Sequence, residues 1–567
     1  MSEEKKPSAV EVAKINSQFL RGTIADELAN ETDHFESDSV NLLKNHGIYQ
    51  QDDRDERGGA GKGGREHCFM VRSKIPGGKL TPEQMLAELD LCDEMGNGTL
   101  RITTRQGLQL HGILKTTLKA AIARINEIKL STLAACGDVN RNVMCSPIPD
   151  HRNGVHAEMQ KLADDLTAHL CPRTCAYHEI WVEDAAGENK TKVYGGEVVE
   201  PIYGKTYLPR KFKTAIGLPG DNSVDLYAND LGLMAIVEGD RIVGYNVLVG
   251  GGFGVTPSAA KTFVAVAEPL AFVRPEQVID VSTEIIKVQR DFGNRSDRKT
   301  ARLKYTIRDM GGLAAFKAKV EEYYGAKLDP PRLVVVNGFD DGLGWREQGD
   351  GKWFYGLNVE NGRIKDTPTM KLKTALREIC RTLRPGLRLT PHQSILFCDI
   401  GPGDRDRLMA ILKNHGVPLS EEISEVRRWS MACPALPTCG LSITESERAL
   451  PGMIDELEAE LSKLGLADEK FTVRMTGCPN GCARPYNSDI GLVGKAKGKY
   501  TVLVGGRTLG DRLNTLYKDS VPAEEVVSTL VPLFAFFKSS RQPGETFGDF
   551  CHRQGAESLL AWAENSA

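Results

Sequence analysis

Residues 431–440 read MACPALPTCG, and residues 476–496 read TGCPNGCARPYNSDIGLVGKA. Cys433 and Cys439 enclose five residues, and Cys478 and Cys482 enclose three. Thiolates grouped in this way are soft ligands suited to iron, and four of them complete the shell of a 4Fe–4S cluster. Pro434 and Pro479 each follow the first cysteine of a pair and stiffen the loop. Gly477 and Gly481 let backbone come close to an inorganic core, where N–H groups point at sulfur. A structural zinc site and a pair of disulfides are the alternatives. Zinc sites space their cysteines by two to four residues, so the five-residue gap argues against zinc.

Outward from the cysteines, the chain repeats itself. GTLRITTRQGLQLHGI (Gly98–Ile113) aligns with PGLRLTPHQSILFCDI (Pro385–Ile400), with Gln106 and Gln393 at the same place. NDLGLMAIVEGDRIVGYNVLVGGGFG (Asn229–Gly254) aligns with SDIGLVGKAKGKYTVLVGGRTLG (Ser488–Gly510). Two matching blocks in one order indicate duplication rather than chance similarity of amphipathic strands. Their apolar alternation predicts strands, and the glycines mark tight exits. Helices are predicted between them: Pro82–Met95 behind Thr81 as N-cap, Ser258–Val273, and ERALPGMIDELEAELSKLG at 447–465. Strands and helices interleave without the rhythm of a doubly wound sheet, so the fold class is α+β, internally duplicated. The halves fall near 66–325 and 326–567. Residues 1–65 form an arm with one predicted helix, Val10 to Glu31, then QQDDRDERGGAGKGGRE, which predicts a solvated loop. Arms of this kind pack on another domain or subunit.

A chain of 567 residues holds several domains, and 41% hydrophobic content is ample for their cores. No apolar run approaches the ~20 residues that span a bilayer. The N-terminal MSEEKKPSAVEVAK lacks an apolar signal region, which predicts a cytoplasmic protein. Thirteen scattered cysteines suit free thiols in a reducing compartment. A net charge of −4 calls for neither nucleic acid nor an anionic membrane.

Local charge is more informative. HCFMVRSKIPGG puts Arg72 at the end of an apolar strand, and GDVNRNVMC puts Arg141 between two asparagines. YLPRKFKTAIG sets Arg210, Lys211 and Lys213 around Phe212, and LRITTRQ offers Arg101 and Arg105. Arginine gives directed forks of donors; lysine gives a compact charge that also supplies a proton. Each segment alone fits a solvated surface. Together with the cysteines they point to an anion site.

The two cysteine segments resemble those of the sulfite and nitrite reductase hemoprotein family, and the resemblance runs from SQFLRGTIADEL (17–28) to GDFCHRQG (548–555). It is nearest to the assimilatory sulfite reductases. The resemblance implies a 4Fe–4S cluster on Cys433, Cys439, Cys478 and Cys482, with siroheme beside it and Cys482 ligating both irons. It implies ferredoxin-like modules at 66–145 and 326–420 and siroheme-binding modules at 146–325 and 421–567, the last also holding the cluster, with the cofactors between the halves. Sulfite would lie among Arg72, Arg141, Lys211 and Lys213. Arg101, Arg105, Gln109 and His111 would follow the macrocycle, whose eight carboxylates need cationic partners. Arg295, Arg298, Lys299 and Lys304 are secondary candidates for that task. His111 and His392 are given no iron-ligand role, and Cys136, Cys145, Cys171 and Cys175 are read as bystanders.

The implied activity is the six-electron reduction of sulfite to sulfide for sulfur assimilation and cysteine biosynthesis. The rivals are nitrite reduction to ammonia and a protein that only relays electrons through its cluster. Lys213 favours sulfite, since nitrite-specific relatives tend to carry a smaller neutral residue there. No G-x-G-x-x-G context is present, so electrons come from a partner. The length and the LRGTIADEL arm favour a separate NADPH flavoprotein; GWREQGDGKWFYGLNVENGRI (344–364) and TGCPNGCARPY lean towards ferredoxin.

Overall fold

The computed structural model describes residues 6–57, 65–174, 176–177, 180–183, 190–194 and 200–565. Cys175 and the glycine-rich 58–64 lie outside the described residues. The duplication is carried by four five-stranded sheets. In one, Ile48–Asp52, His67–Ser73, Leu108–Ile113 and Leu100–Ile102 lie side by side, and Arg363–Ile364 from the second half completes the edge. In its counterpart, Gly344–Glu347, Trp353–Leu357, Ile395–Ile400 and Gly386–Leu389 are completed by Lys79–Leu80 from the first half.

The exchange is reciprocal: Arg363 faces Arg101, and Lys79 faces Arg388. The repeated glutamines explain themselves here. Gln106 and Gln393 both turn through left-handed backbone, with φ of 54° and 65°. Gln106 Nε2 donates to Gly77 O at 3.2 Å and across the halves to Leu389 O at 3.0 Å; Gln393 Nε2 donates to Asn361 O at 3.0 Å. Each thus anchors a turn that launches an exchanged strand. One apolar core runs through both sheets, with Phe69, Leu89 and Leu110 joined to Tyr355, Leu376 and Phe397. These modules are therefore not independent folding units. The helix Pro82–Glu94 packs in this layer, opened by the Thr81–Gln84 capping box.

The other two sheets share an order. Glu268–Val273, Arg241–Val249, Leu231–Glu238, Thr214–Gly217 and Met144–Cys145 match Thr515–Pro522, Lys499–Val504, Ile490–Ala496, Val473–Thr476 and Ser430–Ala432. Asp230 and Asp489 occupy equivalent places and accept from the backbone N–H of Lys213 (3.0 Å) and Thr472 (2.9 Å). Asp225 and Arg484 are also equivalent, both at left-handed φ of 50° and 56°, yet they carry opposite charge. They meet: Asp225 Oδ2 accepts from Arg484 Nε and, at 3.0 Å, from Arg474 Nη1. Arg484 then reaches Thr104 O (3.0 Å) and Pro391 O (3.1 Å), which are themselves equivalent positions of the two ferredoxin-like modules. One buried ion pair between equivalent positions of the repeat therefore ties all four modules together.

Three local expectations are corrected. The expected arm helix from Val10 to Glu31 is two helices, Ala9–Asn16 and Ile24–Ala29. Between them Gln18, Phe19 and Leu20 take φ of 50°, 58° and 73°, Ser17 Oγ accepts from Leu20 N–H at 2.9 Å, and Leu20 is buried. Burying that side chain outweighs continuing the helix. The expected loop from Gln50 begins as the end of a sheet strand, Ile48–Asp52. The expected helix at 258–273 is irregular and then the strand Glu268–Val273, paired with Arg241–Val249. Pro257, Pro269 and the β-branched Val264, Val266 and Val273 resist helix there. Among the described residues, no helix is long and apolar enough to cross a membrane.

Replacing Asp225 by Ala leaves two buried guanidinium groups without their carboxylate and is expected to cost about 3–5 kcal/mol. Scanning calorimetry would show a lowered thermal midpoint, whereas Lys161→Ala, which breaks an exposed pair with Asp165, is expected to leave it unchanged.

Candidate anion chamber and cysteine site

A cavity of about 400 Å³ lies where the first half meets the cysteine loops of the second. Its floor follows from strand register. Arg72 stands opposite Gln109, Gln109 opposite Arg101, and Arg101 opposite Arg363, so four strands present one polar row on a single face. His111 lies two residues beyond Gln109 and shares that face. Arg105 enters from the following turn, Arg141 from the loop before Met144–Cys145, and Arg210, Lys211 and Lys213 from the loop leading into Thr214–Gly217. Cys433, Cys439, Cys478 and Cys482 line the opposite wall. Arg72, Arg101, Arg105, Gln109, His111, Arg141, Lys211, Lys213 and the four cysteines, the first-choice residues of the sequence reading, thus all border this one cavity.

The charge there is unbalanced. Among the described residues, Arg72, Arg105, Arg141, Arg210, Lys211 and Lys213 have no carboxylate within ion-pair reach. Arg72 Nη1 donates to Cys136 Sγ at 2.9 Å, and Arg141 Nε to Gly137 O at 2.8 Å. Arg105 donates to Asn229 Oδ1 (2.8 Å), Asn142 O (2.6 Å) and Thr214 O (3.1 Å). The buried Nε atoms of Arg72 and Arg105 and both ring nitrogens of His111 lack partners. Burial, with Arg210 and Arg302 adding repulsion, pushes Lys211 down to about 7. Burial and then Lys211 hold Lys213 well below the usual lysine range. Burial and then Arg141 bring Arg105 to about 9. Uncompensated cations and orphaned donors at this density fit a group that carries many carboxylates, together with a small anion. Arg101 differs, because Glu447 Oε2 accepts from it at 2.9 Å and from Arg363 at 3.0 Å.

The cysteine wall discriminates among metals. The four thiols are free, which removes the disulfide reading, and Cys482 is the exposed one. Their sulfurs do not gather within 4.8 Å of one another, wider than the shell of a single zinc ion with bonds of ~2.3 Å. Gly477 N–H donates to Cys433 Sγ and Asn480 Nδ2 to Cys478 Sγ, both at 3.4 Å. Burial, then the neighbouring Cys482, raises Cys433 strongly and Cys478 to about 11, so a bound metal must deprotonate them. Gly481 supplies the left-handed turn (φ 64°) between Cys478 and Cys482. Besides the expected N–H donation to a cysteine sulfur, Gly477 permits loop packing, since a Cβ there would lie 2.2 Å from Ser442 Oγ.

Sequence reading missed the arm's share of the site. Val10, Asn41, Lys44, Tyr49 and Gln51 line the cavity, and Arg54 donates to Cys439 O at 3.3 Å and to Ser442 O. The alternation of Tyr49 and Gln51 was the available signal. Of the secondary candidates, Arg298 lines the cavity but is paired with Asp138, Arg295 is paired with Glu11, Lys304 donates to Gly252 O and Gly254 O, and Lys299 is exposed. Cys136 packs on Arg72; Cys145 is buried away from the cavity and pushed up to about 12 by burial. Cys171 Sγ accepts from Lys74 Nζ at 3.6 Å.

The duplicate place in the other half is filled. His392 stands where Arg105 stands, Lys470 where Lys211 stands, and Thr472 where Lys213 stands. Lys470 Nζ sits 3.3 Å over the Trp429 ring, and Phe339, His392 and Trp429 pack edge to face.

Fold and site together define a duplicated α+β redox protein with a polyanion chamber set against a four-thiol cluster site. The chain matches the nitrite and sulphite reductase 4Fe-4S domain at residues 136–328 and 425–567, and the nitrite/sulfite reductase ferredoxin-like half domain at 61–128 and 346–415. It belongs to the nitrite and sulfite reductase family, an oxidoreductase family whose cofactors are siroheme and a 4Fe–4S cluster. It is 45% identical to the sulfite reductase (NADPH) hemoprotein beta-component of Staphylococcus haemolyticus, over 98% of this chain and 96% of that one. It is 46% identical to the protein of that name from Myxococcus xanthus, over 98% of both. It is 45% identical to the sulfite reductase (ferredoxin) of Synechococcus elongatus, over 99% of this chain and 91% of that one. The Mycobacterium tuberculosis NirA protein shares the fold, with a TM-score of 0.79 at 24% identity over 98% of each chain.

Depressed lysines set a sign for pH. In the cofactor-free protein Lys211 and Lys304 sit at about 7 against an ordinary 10.5, so above pH 7 the unfolded chain holds more protons than the folded one. Stability therefore rises with pH from about 7 to 8.5, below the range where raised thiols reverse the trend. Calorimetry of cofactor-free protein is expected to show a climbing midpoint, with a shallower climb in Lys211→Met.

Proposed function

We propose that this chain is the siroheme-bearing component of an assimilatory sulfite reductase, reducing sulfite to sulfide in the cytoplasm for cysteine biosynthesis. The observation that carries the reading is the row of unpaired cations facing four free thiols across one cavity. Cys433, Cys439, Cys478 and Cys482 would hold the cluster, and Cys482, exposed to the chamber, would also reach the siroheme iron. Arg105, Gln109 and His111, with Arg101 fixed by Glu447, would lie along the macrocycle. Once bound, these cofactors supply the iron and the electron path for the six-electron reduction, chemistry no side chain performs.

The chain's own residues do the rest. Arg72 and Arg141 hold the anion through directed forks and stand ready where negative charge accumulates. Lys211 and Lys213, side by side at the chamber wall, are suited to deliver protons to departing oxygen. Polyanionic cofactor and substrate raise both lysines again, so they enter the reaction charged. Two lysines suit a dianion better than the monoanion nitrite, which favours sulfite. The reading includes the arm at 1–65 and modules at 66–145, 146–325, 326–420 and 421–567. Relatives bear both NADPH and ferredoxin in their names; we favour an NADPH-fed flavoprotein as electron donor, with ferredoxin as the alternative.

With a reduced viologen dye replacing the donor, Lys213→Ala is expected to cut sulfide production by at least about tenfold. Siroheme absorbance and iron content should stay at wild-type levels. Unchanged turnover at full occupancy would remove Lys213 from the reaction.

A further inference from the structure

The helix Ala9–Asn16 is built inside out. Glu11 and Lys14 are 1% and 2% exposed, whereas Val12 and Ile15 are 44% and 51% exposed. Ala13 is buried and Val10 partly so, but the long side chains this helix buries are charged ones. Lys14 Nζ donates to Leu208 O at 2.7 Å and to Asp138 Oδ2 at 3.3 Å, and pairs with Glu11 Oε1 at 2.5 Å. Asp138 also accepts from Arg298 Nη1 at 2.7 Å and Nη2 at 3.0 Å. Glu11 pairs with Arg295, whose Nη2 donates to Tyr207 O at 2.7 Å.

These partners sit at the roots of two chamber segments. The segments are laced by backbone bonds: Leu208 N to Asp138 O (3.0 Å), Phe212 N to Val139 O (3.1 Å) and Arg141 N to Phe212 O (2.9 Å). Lys14 closes the first rung, bonding to a side chain on one segment and a carbonyl on the other. Three residues past Asp138 comes Arg141; two past Leu208 comes Arg210, then Lys211 and Lys213. Of the five charges in this network Glu11, Lys14 and Asp138 are buried, and desolvation offsets much of their attraction; fixed geometry is what such a network supplies.

We propose that Glu11 and Lys14 are positioning residues: the arm helix clamps the segments bearing Arg141 and Arg210–Lys213, so that their cations face the chamber in fixed register. The proposal rests on the reading of the chamber as the sulfite site. A displacement of about 1 Å in such groups is enough to lower activity strongly.

The test compares Lys14→Met with wild type as full-length, cofactor-loaded protein, by hydrogen exchange and by sulfite kinetics. Exchange in peptides covering 136–145 and 205–216 is expected to quicken by about tenfold, while Ile490–Ala496 and Lys499–Val504 hold their protection. KM for sulfite is expected to rise by about tenfold at wild-type siroheme content. A merely structural role would lower the thermal midpoint or siroheme content without moving KM. Unchanged exchange overturns the clamp, and quickened exchange with unchanged KM overturns its positioning role. If Lys14→Met does not fold, Glu11→Gln carries the same two readouts. Wild-type protein that reduces no sulfite would sink the reading of the chamber, while the exchange result would still decide the clamp.

Discussion

Asp225 and Arg484 occupy the same place in two copies of one repeat and have acquired opposite charge. A duplicated chain can join its halves through identical surfaces, but like groups meeting on an axis repel if charged and waste hydrogen-bonding capacity if polar. Opposite charge at equivalent positions solves this; Arg474 shares Asp225 Oδ2 with Arg484, and Asn487 Nδ2 donates to Oδ1. Because Arg484 also binds the Thr104 and Pro391 carbonyls, the pair fixes both ferredoxin-like modules relative to both cofactor-binding modules. Cys482 lies two residues before Arg484, and Arg105 one residue after Thr104. The register of chamber against cysteine wall thus follows from this contact.

The same duplication explains why the two copies of the site differ. One copy gathers Arg105, Lys211 and Lys213 around open space; the other has His392, Lys470 and Thr472, with Phe339 and Trp429 filling the volume. Two lysines and an arginine in a cavity need an anion. The lysine stacked on an indole has Asp341, Asp489 and Glu425 near enough to favour its charge, with the aromatic face adding to them. One half of the repeat is thereby free to serve as scaffold, while the other carries the charge imbalance that a bound polyanion relieves.

Much of this was legible in the sequence where chemistry and spacing coincide. The four cysteines, the cation-bearing segments and the alternating repeats announce themselves locally, and the cavity gathers them. What stayed hidden is long-range. Lys79–Leu80 and Arg363–Ile364 are too short to show alternation, so nothing local reveals that each belongs to the other half's sheet. The helix Ala9–Asn16 buries charge and exposes valine and isoleucine, which inverts the usual pattern. Gly477 was legible as an N–H donor to cysteine sulfur, while its packing against Ser442 and Thr444, which leaves no room for a side chain, was not. The segment at 258–273 has helical alanine spacing, and sheet pairing with Arg241–Val249 overrides it.

The central claim is that this chamber is built for a dianion reduced at siroheme. The most direct measurement is kcat/KM for sulfite and for nitrite, on protein holding siroheme and cluster and driven by a reduced viologen dye. The account predicts a clear preference for sulfite with sulfide as product. A preference for nitrite would contradict the part given to Lys211 and Lys213, and activity on neither anion in fully loaded protein would contradict the reductase reading itself.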